Sequence, residues 1–97
     1  MTRGDVLDAL RPLEPELKRL GFAKLYLFGS AARSEPNARD VDLLYEAEGA
    51  LKPGFNELAD AWDRLESVLG KPVDLVDIEL LHQRIRPRVE NEMVEVY

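Results

Sequence analysis

The chain has 97 residues and a mass of 11.0 kDa, a size that predicts one small domain, residues 1–97, with its own core. A net charge of -6 argues against direct binding along a nucleic-acid backbone, and the absence of cysteine excludes disulfides, thiolate catalysis and cysteine-ligated metals. No apolar run approaches the roughly 20 residues of a membrane span, and no secretory segment follows Met1. We therefore expect a cytoplasmic protein that does not contact membranes.

The first predicted element is a helix over residues 6–20, because apolar side chains recur there at intervals of three and four positions. Gly21 follows at the position of a C-terminal cap glycine. Pro12 and Pro15 interrupt the pattern. Since proline lacks an amide hydrogen and crowds the preceding turn, a break or kink is predicted between residues 10 and 14.

The later elements are predicted from the same periodicities and from the turn residues between them. Strands are predicted at residues 24–28, 41–47, 73–77 and 93–97. A helix is predicted at residues 55–69 and a last helix from Glu79 onward, weakened by Pro87, with loops at residues 34–39 and 50–54. This alternation predicts an α/β (α+β) fold in which helices pack on a small mixed sheet of about four strands.

The segment that follows the first strand has the composition of a phosphate-binding turn. Gly29 has no Cβ, so a phosphate can approach the backbone, and Ser30 offers both a hydroxyl and an amide hydrogen at the start of a short helix. Arg33, one turn later, presents a fixed fork of donors that matches phosphate oxygens. The alternative is that Arg33 is an ordinary surface arginine.

Three aspartates are candidates for a metal site. Asp40 and Asp42 leave the same face of the sheet if the strand begins at Asp40, and Asp74 joins them if its strand is adjacent. At about 5 Å and an effective dielectric of about 20, each like-charged pair costs roughly 3 kcal/mol, which favours a bound cation. Oxygen-only ligands suit Mg2+ or Mn2+. Alternatively, Asp40 is a loop residue and Asp74 faces solvent, and Asp77 is the fallback third ligand.

Other conspicuous side chains are interpreted as structural. His82 has no cysteine or second histidine near it and is predicted to be a surface or cap residue. Trp62 lies at helical spacing with apolar neighbours and is predicted to belong to the core. Two charged sets are predicted to be solvated surface: Arg84, Arg86 and Arg88, and Glu90, Glu92 and Glu95.

The order of these features resembles the signature of the polymerase β-like nucleotidyltransferase superfamily: an apolar strand, Gly29-Ser30, Arg33, a polar loop, and Asp40-Val41-Asp42 entering a second strand. The short chain and the position of the motif are most similar to the minimal nucleotidyltransferases, which are found paired with HEPN-domain proteins. Residues 72–76 fit the strand that supplies the third carboxylate of that family. One departure is Arg39, where the family commonly has serine.

The resemblance implies a Mg2+-dependent enzyme that transfers AMP from ATP to a hydroxyl group. In that family pattern Asp40 and Asp42 hold the metal ions, Asp74 binds one metal and accepts or orients the acceptor's proton, and Gly29, Ser30 and Arg33 seat the phosphates. It further implies an antitoxin that adenylylates a tyrosine of a HEPN ribonuclease toxin, with no direct binding of nucleic acid.

Two other functions stay open from the sequence. The chain could be a binding module that keeps the fold and neutralises its partner by contact, or a transferase acting on a small molecule, which the missing acceptor domain disfavours. The sequence also leaves open whether the protein is a homo-oligomer.

Overall fold

The proline pair divides the first helical segment, as predicted. The computed structural model describes residues 1–35, 39–49 and 52–97. Helix α1 runs over Arg3–Leu10, a 3₁₀ turn over Arg11–Leu13, and α2 over Glu14–Arg19. A proline lies in the first turn of each of the last two segments, where its missing amide hydrogen would have no partner in the helix.

The four strands form one mixed sheet, which confirms the predicted fold class. Its strands are β1 (Phe22–Phe28), β2 (Val41–Ala47), β3 (Val73–Asp77) and β4 (Val94–Glu95), in the order β3-β2-β1-β4. β1 pairs antiparallel with β2 and β4, whereas β2 and β3 are parallel. The helices that follow α2 are α3 (Gly29–Ala32), α4 (Phe55–Leu69) and α5 (Arg86–Glu92). Within the described ranges, none of the helices has the length and apolar character that crossing a bilayer requires.

The prediction for the last part of the chain was wrong in two respects. The last helix begins at Arg86 rather than at Glu79, and Pro87 lies in its first turn instead of weakening it. The predicted start is occupied by a 3₁₀ turn, Ile78–Leu80. β4 has two residues rather than the predicted five, although the Val96 amide still donates to the Leu25 carbonyl at 2.8 Å.

Two loop predictions fall partly outside the described residues. The predicted loop 34–39 includes residues 36–38, and the predicted turn 50–54 includes residues 50 and 51. The described ends of both segments lie outside helices and strands. The loops are therefore confirmed only at their ends.

The core lies between one face of the sheet and helices α1, α2 and α4. Its most deeply buried side chains, at most 1% exposed, include Leu25, Leu27 and Leu43 from the sheet and Leu10, Leu17 and Leu65 from the helices. Because side chains alternate along a strand, Asp42, Tyr26 and Asp74 lie on the opposite face, where Asp42 and Tyr26 are partly buried and Asp74 is exposed. The core and the candidate carboxylates thus occupy different faces of one sheet.

We expect Tyr97→Phe to lower the free energy of unfolding by about 1 kcal/mol. The Tyr97 hydroxyl donates to the Phe22 carbonyl at 2.9 Å in a buried position, and the change removes that donor while keeping the ring. Thermal unfolding should show a fall in Tm of about 4–8 °C.

Tyr45→Phe is the matched control for that change. Tyr45 is as buried as Tyr97, at 8% exposure, but its hydroxyl makes no hydrogen bond within the described residues. Equal losses of Tm in the two variants would show that the Tyr97 hydrogen bond contributes nothing measurable.

Candidate functional site

The turn between β1 and α3 requires glycine for two reasons. Gly29 has φ +73°, in the left-handed region that other residues seldom adopt. A Cβ at this position would also collide with Asp42 Oδ2 and would lie 3.3 Å from Asp42 Cγ. The backbone of the predicted phosphate-binding turn therefore lies directly against the carboxylate of Asp42.

Arg3, the first residue of α1, is hydrogen-bonded to the segment that follows this turn. The Arg3 amide donates to Ser34 Oγ at 3.1 Å, and Arg3 Nη1 donates to the Ala32 carbonyl at 3.3 Å. The Ser30 carbonyl accepts from the Glu35 amide at 3.0 Å, whereas the Ser30 hydroxyl makes no hydrogen bond within the described residues. The roles of Arg3 and Ser34 could not be predicted from the sequence, because their contact joins segments about 30 residues apart.

The sheet brings Asp42 and Asp74 side by side. In the parallel register of β2 and β3 the Cα of Asp42 pairs with that of Asp74, and in the antiparallel register of β1 and β2 it pairs with Phe28. Paired residues on neighbouring strands point to the same face of a sheet. The two carboxylates consequently project together beside the end of β1, where the Gly29 turn begins.

Asp40 lies just before the strand, which agrees with the alternative that it is a loop residue and not with a strand that begins at Asp40. β2 begins at Val41, whose amide donates to the Pro72 carbonyl at 2.9 Å, and Asp40 is an exposed residue just before it. It is nevertheless close enough for its charge to act on Asp42. Asp40 therefore stands at the rim of the site rather than on the strand.

The electrostatic environment of Asp42 links the candidate residues. Partial burial raises the pKa of the Asp42 carboxyl, the charges of Asp74 and Asp40 raise it further, and Arg33 opposes them. These four side chains thus form one electrostatic group, in which the negative charges outnumber the positive one.

This donor set fits a hard cation that takes part of its coordination from elsewhere. Within residues 1–35, 39–49 and 52–97, no three acidic, histidine or cysteine side chains are grouped closely enough to hold a metal ion by themselves. Mg2+ is usually bound by one or two carboxylates and completes its shell with water and substrate phosphate oxygens. Asp42 and Asp74 supply that number of carboxylates, with Asp40 near them.

Asp77, the fallback ligand, has a local role instead. Its Oδ1 accepts from the Glu79 amide at 2.9 Å and so begins the 3₁₀ turn after β3.

The structural roles predicted for His82 and Trp62 are confirmed. His82 is exposed and its Nδ1 accepts a hydrogen bond from the Arg84 amide. Trp62 is partly buried and packs against the core.

Arg33 is half exposed and bonded to acidic residues. Its Nε donates to Glu35 Oε1 at 2.9 Å, and its Nη1 lies 3.5 Å from Glu92 Oε2 on α5. Glu92 was predicted only to be solvated surface, since nothing near it in the sequence links it to Arg33. Arg86 and Arg88, also interpreted as surface, pair with Glu90 and Glu92 along α5.

Comparison with known proteins gives matches over nearly the whole chain. The sequence matches the family described as polymerase beta, nucleotidyltransferase over residues 14–97. A relative from Methanocaldococcus jannaschii, named as a proposed protein adenylyltransferase, is 35% identical over 94 residues, which cover 95% of this chain and 98% of the relative.

Two solved structures have a similar fold. One, described as a proposed minimal nucleotidyltransferase, has a TM-score of 0.77 at 32% identity and covers 97% of this chain and 95% of the other. The second is a complex of the tri-AMPylated Shewanella oneidensis HEPN toxin with MNT antitoxin, in which a chain matches with a TM-score of 0.69 at 19% identity. That match covers 99% of this chain and 72% of the other, and it establishes likeness of fold.

Proposed function

This chain belongs to the polymerase β type nucleotidyltransferase family, among its minimal members, and we propose that it transfers AMP from ATP to a hydroxyl group of a protein. The observation that carries the proposal is the position of the Asp42 and Asp74 pair against the Gly29 turn. Nucleotidyl transfer needs a binding site for the triphosphate next to carboxylates that can hold a cation. The Gly29 turn would supply the first and the Asp42 and Asp74 pair the second, since Asp42 is paired in register with both Phe28 and Asp74.

The phosphates would be bound by the turn after β1. Gly29 leaves the backbone accessible to a phosphate oxygen, and Ser30 offers a hydroxyl that has no other partner within the described residues. Arg33 would add a charge-assisted contact to the β and γ phosphates. Together these residues would orient the α-phosphorus toward Asp42 and Asp74.

The carboxylates would hold Mg2+, with Mn2+ as the alternative. Asp42 and Asp74 would be its direct ligands, and Asp40 would contribute from the rim. When bound, such a cation neutralises charge on the triphosphate and on the leaving pyrophosphate. Asp74, the more exposed of the pair, would orient the acceptor hydroxyl and take its proton.

The acceptor would be a tyrosine of a HEPN-domain toxin, and the chain would act as the antitoxin. This part of the proposal is supported by the name of the 35% identical relative and by the similarity to the fold of the antitoxin complex with an AMPylated HEPN toxin. The net charge of -6 is consistent with an acceptor that is protein rather than nucleic acid.

Intact mass spectrometry of a HEPN-domain protein from the same organism tests the function. After incubation with this chain, ATP and Mg2+, the partner should gain the mass of one or more AMP groups, and peptide mapping should place them on tyrosine. Omission of ATP or chelation of Mg2+ should abolish the gain. A stable complex with unchanged partner mass would instead establish the alternative, a binding module that neutralises its partner by contact.

A further inference from the structure

The guanidinium of Arg33 is already engaged by two carboxylates. A guanidinium has two edges that can bind an anion through two parallel hydrogen bonds, one formed by Nε and Nη2 and the other by Nη1 and Nη2. Glu35 occupies the first edge through Nε at 2.9 Å, and Glu92 lies against the second through Nη1 at 3.5 Å. A phosphate that binds Arg33 in the bidentate mode must therefore displace one of them.

The two carboxylates are held unequally. Glu35 is two residues from Arg33, and its amide is fixed to the Ser30 carbonyl at 3.0 Å. Glu92 reaches Arg33 from a different part of the chain, its contact is longer, and its Oε1 also lies 3.6 Å from Arg88 Nε. Glu92 is consequently the carboxylate that an incoming phosphate displaces more readily.

Helix α5, which carries Glu92, depends largely on charge for its position. It has no buried residue, and the ion pairs that join it to other described segments are those of Arg86 with Glu79 and of Glu92 with Arg33. Exposed ion pairs are weak and are screened by salt. Loss of the contact with Arg33 should therefore loosen the last turn of α5, which leads directly into β4.

From this geometry we propose that Glu92 occupies a phosphate-binding edge of the Arg33 guanidinium in the nucleotide-free protein. Glu92 is released from Arg33 when a nucleoside triphosphate binds. The inference rests on the proposed function, because it takes Arg33 as a ligand of the nucleotide phosphates. Glu92 then competes with the triphosphate for Arg33 and lowers the affinity of the protein for the triphosphate. Release of Glu92 also couples nucleotide binding to a greater mobility of α5.

The test compares two glutamate variants of α5 by calorimetric titration with ATP and Mg2+. Glu92→Gln removes the competing charge and should lower the Kd about three- to fivefold, the size expected for an exposed ion pair. Glu90→Gln is the matched control, because it makes the same change in net charge on the same helix but Glu90 bonds Arg86. Its Kd should change by less than about twofold.

Hydrogen exchange supplies a second measurement. ATP should speed the exchange of amides in residues 89–93 of the wild type, where the Met93 amide closes the helix on the Val89 carbonyl. In Glu92→Gln these amides should exchange faster from the start, and ATP should add nothing further.

The outcomes separate this inference from the function on which it rests. If ATP binds the wild type but Glu92→Gln has an unchanged or higher Kd, or if exchange in α5 does not respond to ATP, the role of Glu92 is wrong and the nucleotide site stands. If neither the wild type nor Glu92→Gln binds ATP, the proposed function and this inference both fail.

Discussion

Asp42→Asn is expected to lower the rate of AMP transfer at least about 100-fold and to leave the protein folded. Asp42 is the carboxylate that contacts the Gly29 turn and pairs in register with Asp74, so an amide there removes the central charge of the proposed cation site. Loss of this charge should lower kcat more than it changes the KM for ATP if the cation acts mainly on the transition state. The measurement is the initial rate of mass gain on the partner protein.

The same substitution should raise the thermal stability measured without a divalent cation. The folded-state pKa of Asp42 is raised by burial and by Asp74 and Asp40, so the ionised carboxylate destabilises the folded protein. That destabilisation is absent below the unfolded-state pKa of 3.8 and develops as the pH rises through the higher folded-state value. The Tm advantage of Asp42→Asn should therefore be full at neutral pH and vanish toward pH 3.8.

Glu46→Gln is the control for the rate measurement on Asp42. Glu46 lies on the same strand and the same face as Asp42, but it accepts a hydrogen bond from the Tyr26 hydroxyl, which glutamine can still accept. Its transfer rate should stay within about twofold of the wild type. Retention of wild-type activity by Asp42→Asn would show that Asp42 is not a catalytic residue.

Gly29→Ala is expected to destabilise the protein by about 2–4 kcal/mol and to abolish nucleotide binding. The alanine would adopt the left-handed conformation at φ +73°, and its Cβ would also meet the Asp42 carboxylate. Chemical denaturation and titration with ATP measure the two effects.

Gly70→Ala is the control that measures the cost of backbone strain at a left-handed glycine without a collision of the added Cβ. Gly70 is also left-handed, with φ +65°, but nothing lies within 4 Å of a Cβ built there, so that variant should lose only about 1 kcal/mol. A Gly29→Ala variant combined with Asp42→Ala should recover about 1 kcal/mol or more relative to additivity. Equal losses from Gly29→Ala and Gly70→Ala would show that the turn does not press against Asp42.

The sequence was sufficient to predict the elements whose signals are local. The helix Phe55–Leu69 and the strands Val41–Ala47 and Val73–Asp77 have the predicted bounds, because apolar periodicity and flanking glycines and prolines define them directly. The last helix was misjudged because the apolar spacing of residues 80, 81, 85 and 89 imitates a helix. In the structure Pro87 marks where that helix starts rather than where it weakens.

The site was predictable only in part, because it depends on contacts between segments that are distant in the sequence. The spacing of Asp40 and Asp42 is visible in the sequence, but their relation to Asp74 depends on β2 and β3 being neighbours in parallel register, which pairing across the sheet decides. Contacts that join distant segments, such as Arg33 with Glu92, leave no periodic trace at all. Charged surface residues are therefore the class of site residue that sequence analysis most easily overlooks.

The division of the sheet into a core face and a carboxylate face bears on how such proteins diverge. Among the residues that the structure describes, none of the fully buried side chains belongs to the proposed chemistry, so loss of a proposed catalytic carboxylate leaves the core intact. A gene copy that lost Asp42 would still produce a protein of the same shape, able to keep a binding partner. Inactive descendants of this fold should therefore persist readily, and soluble expression of a homologue is no indication that it is an enzyme.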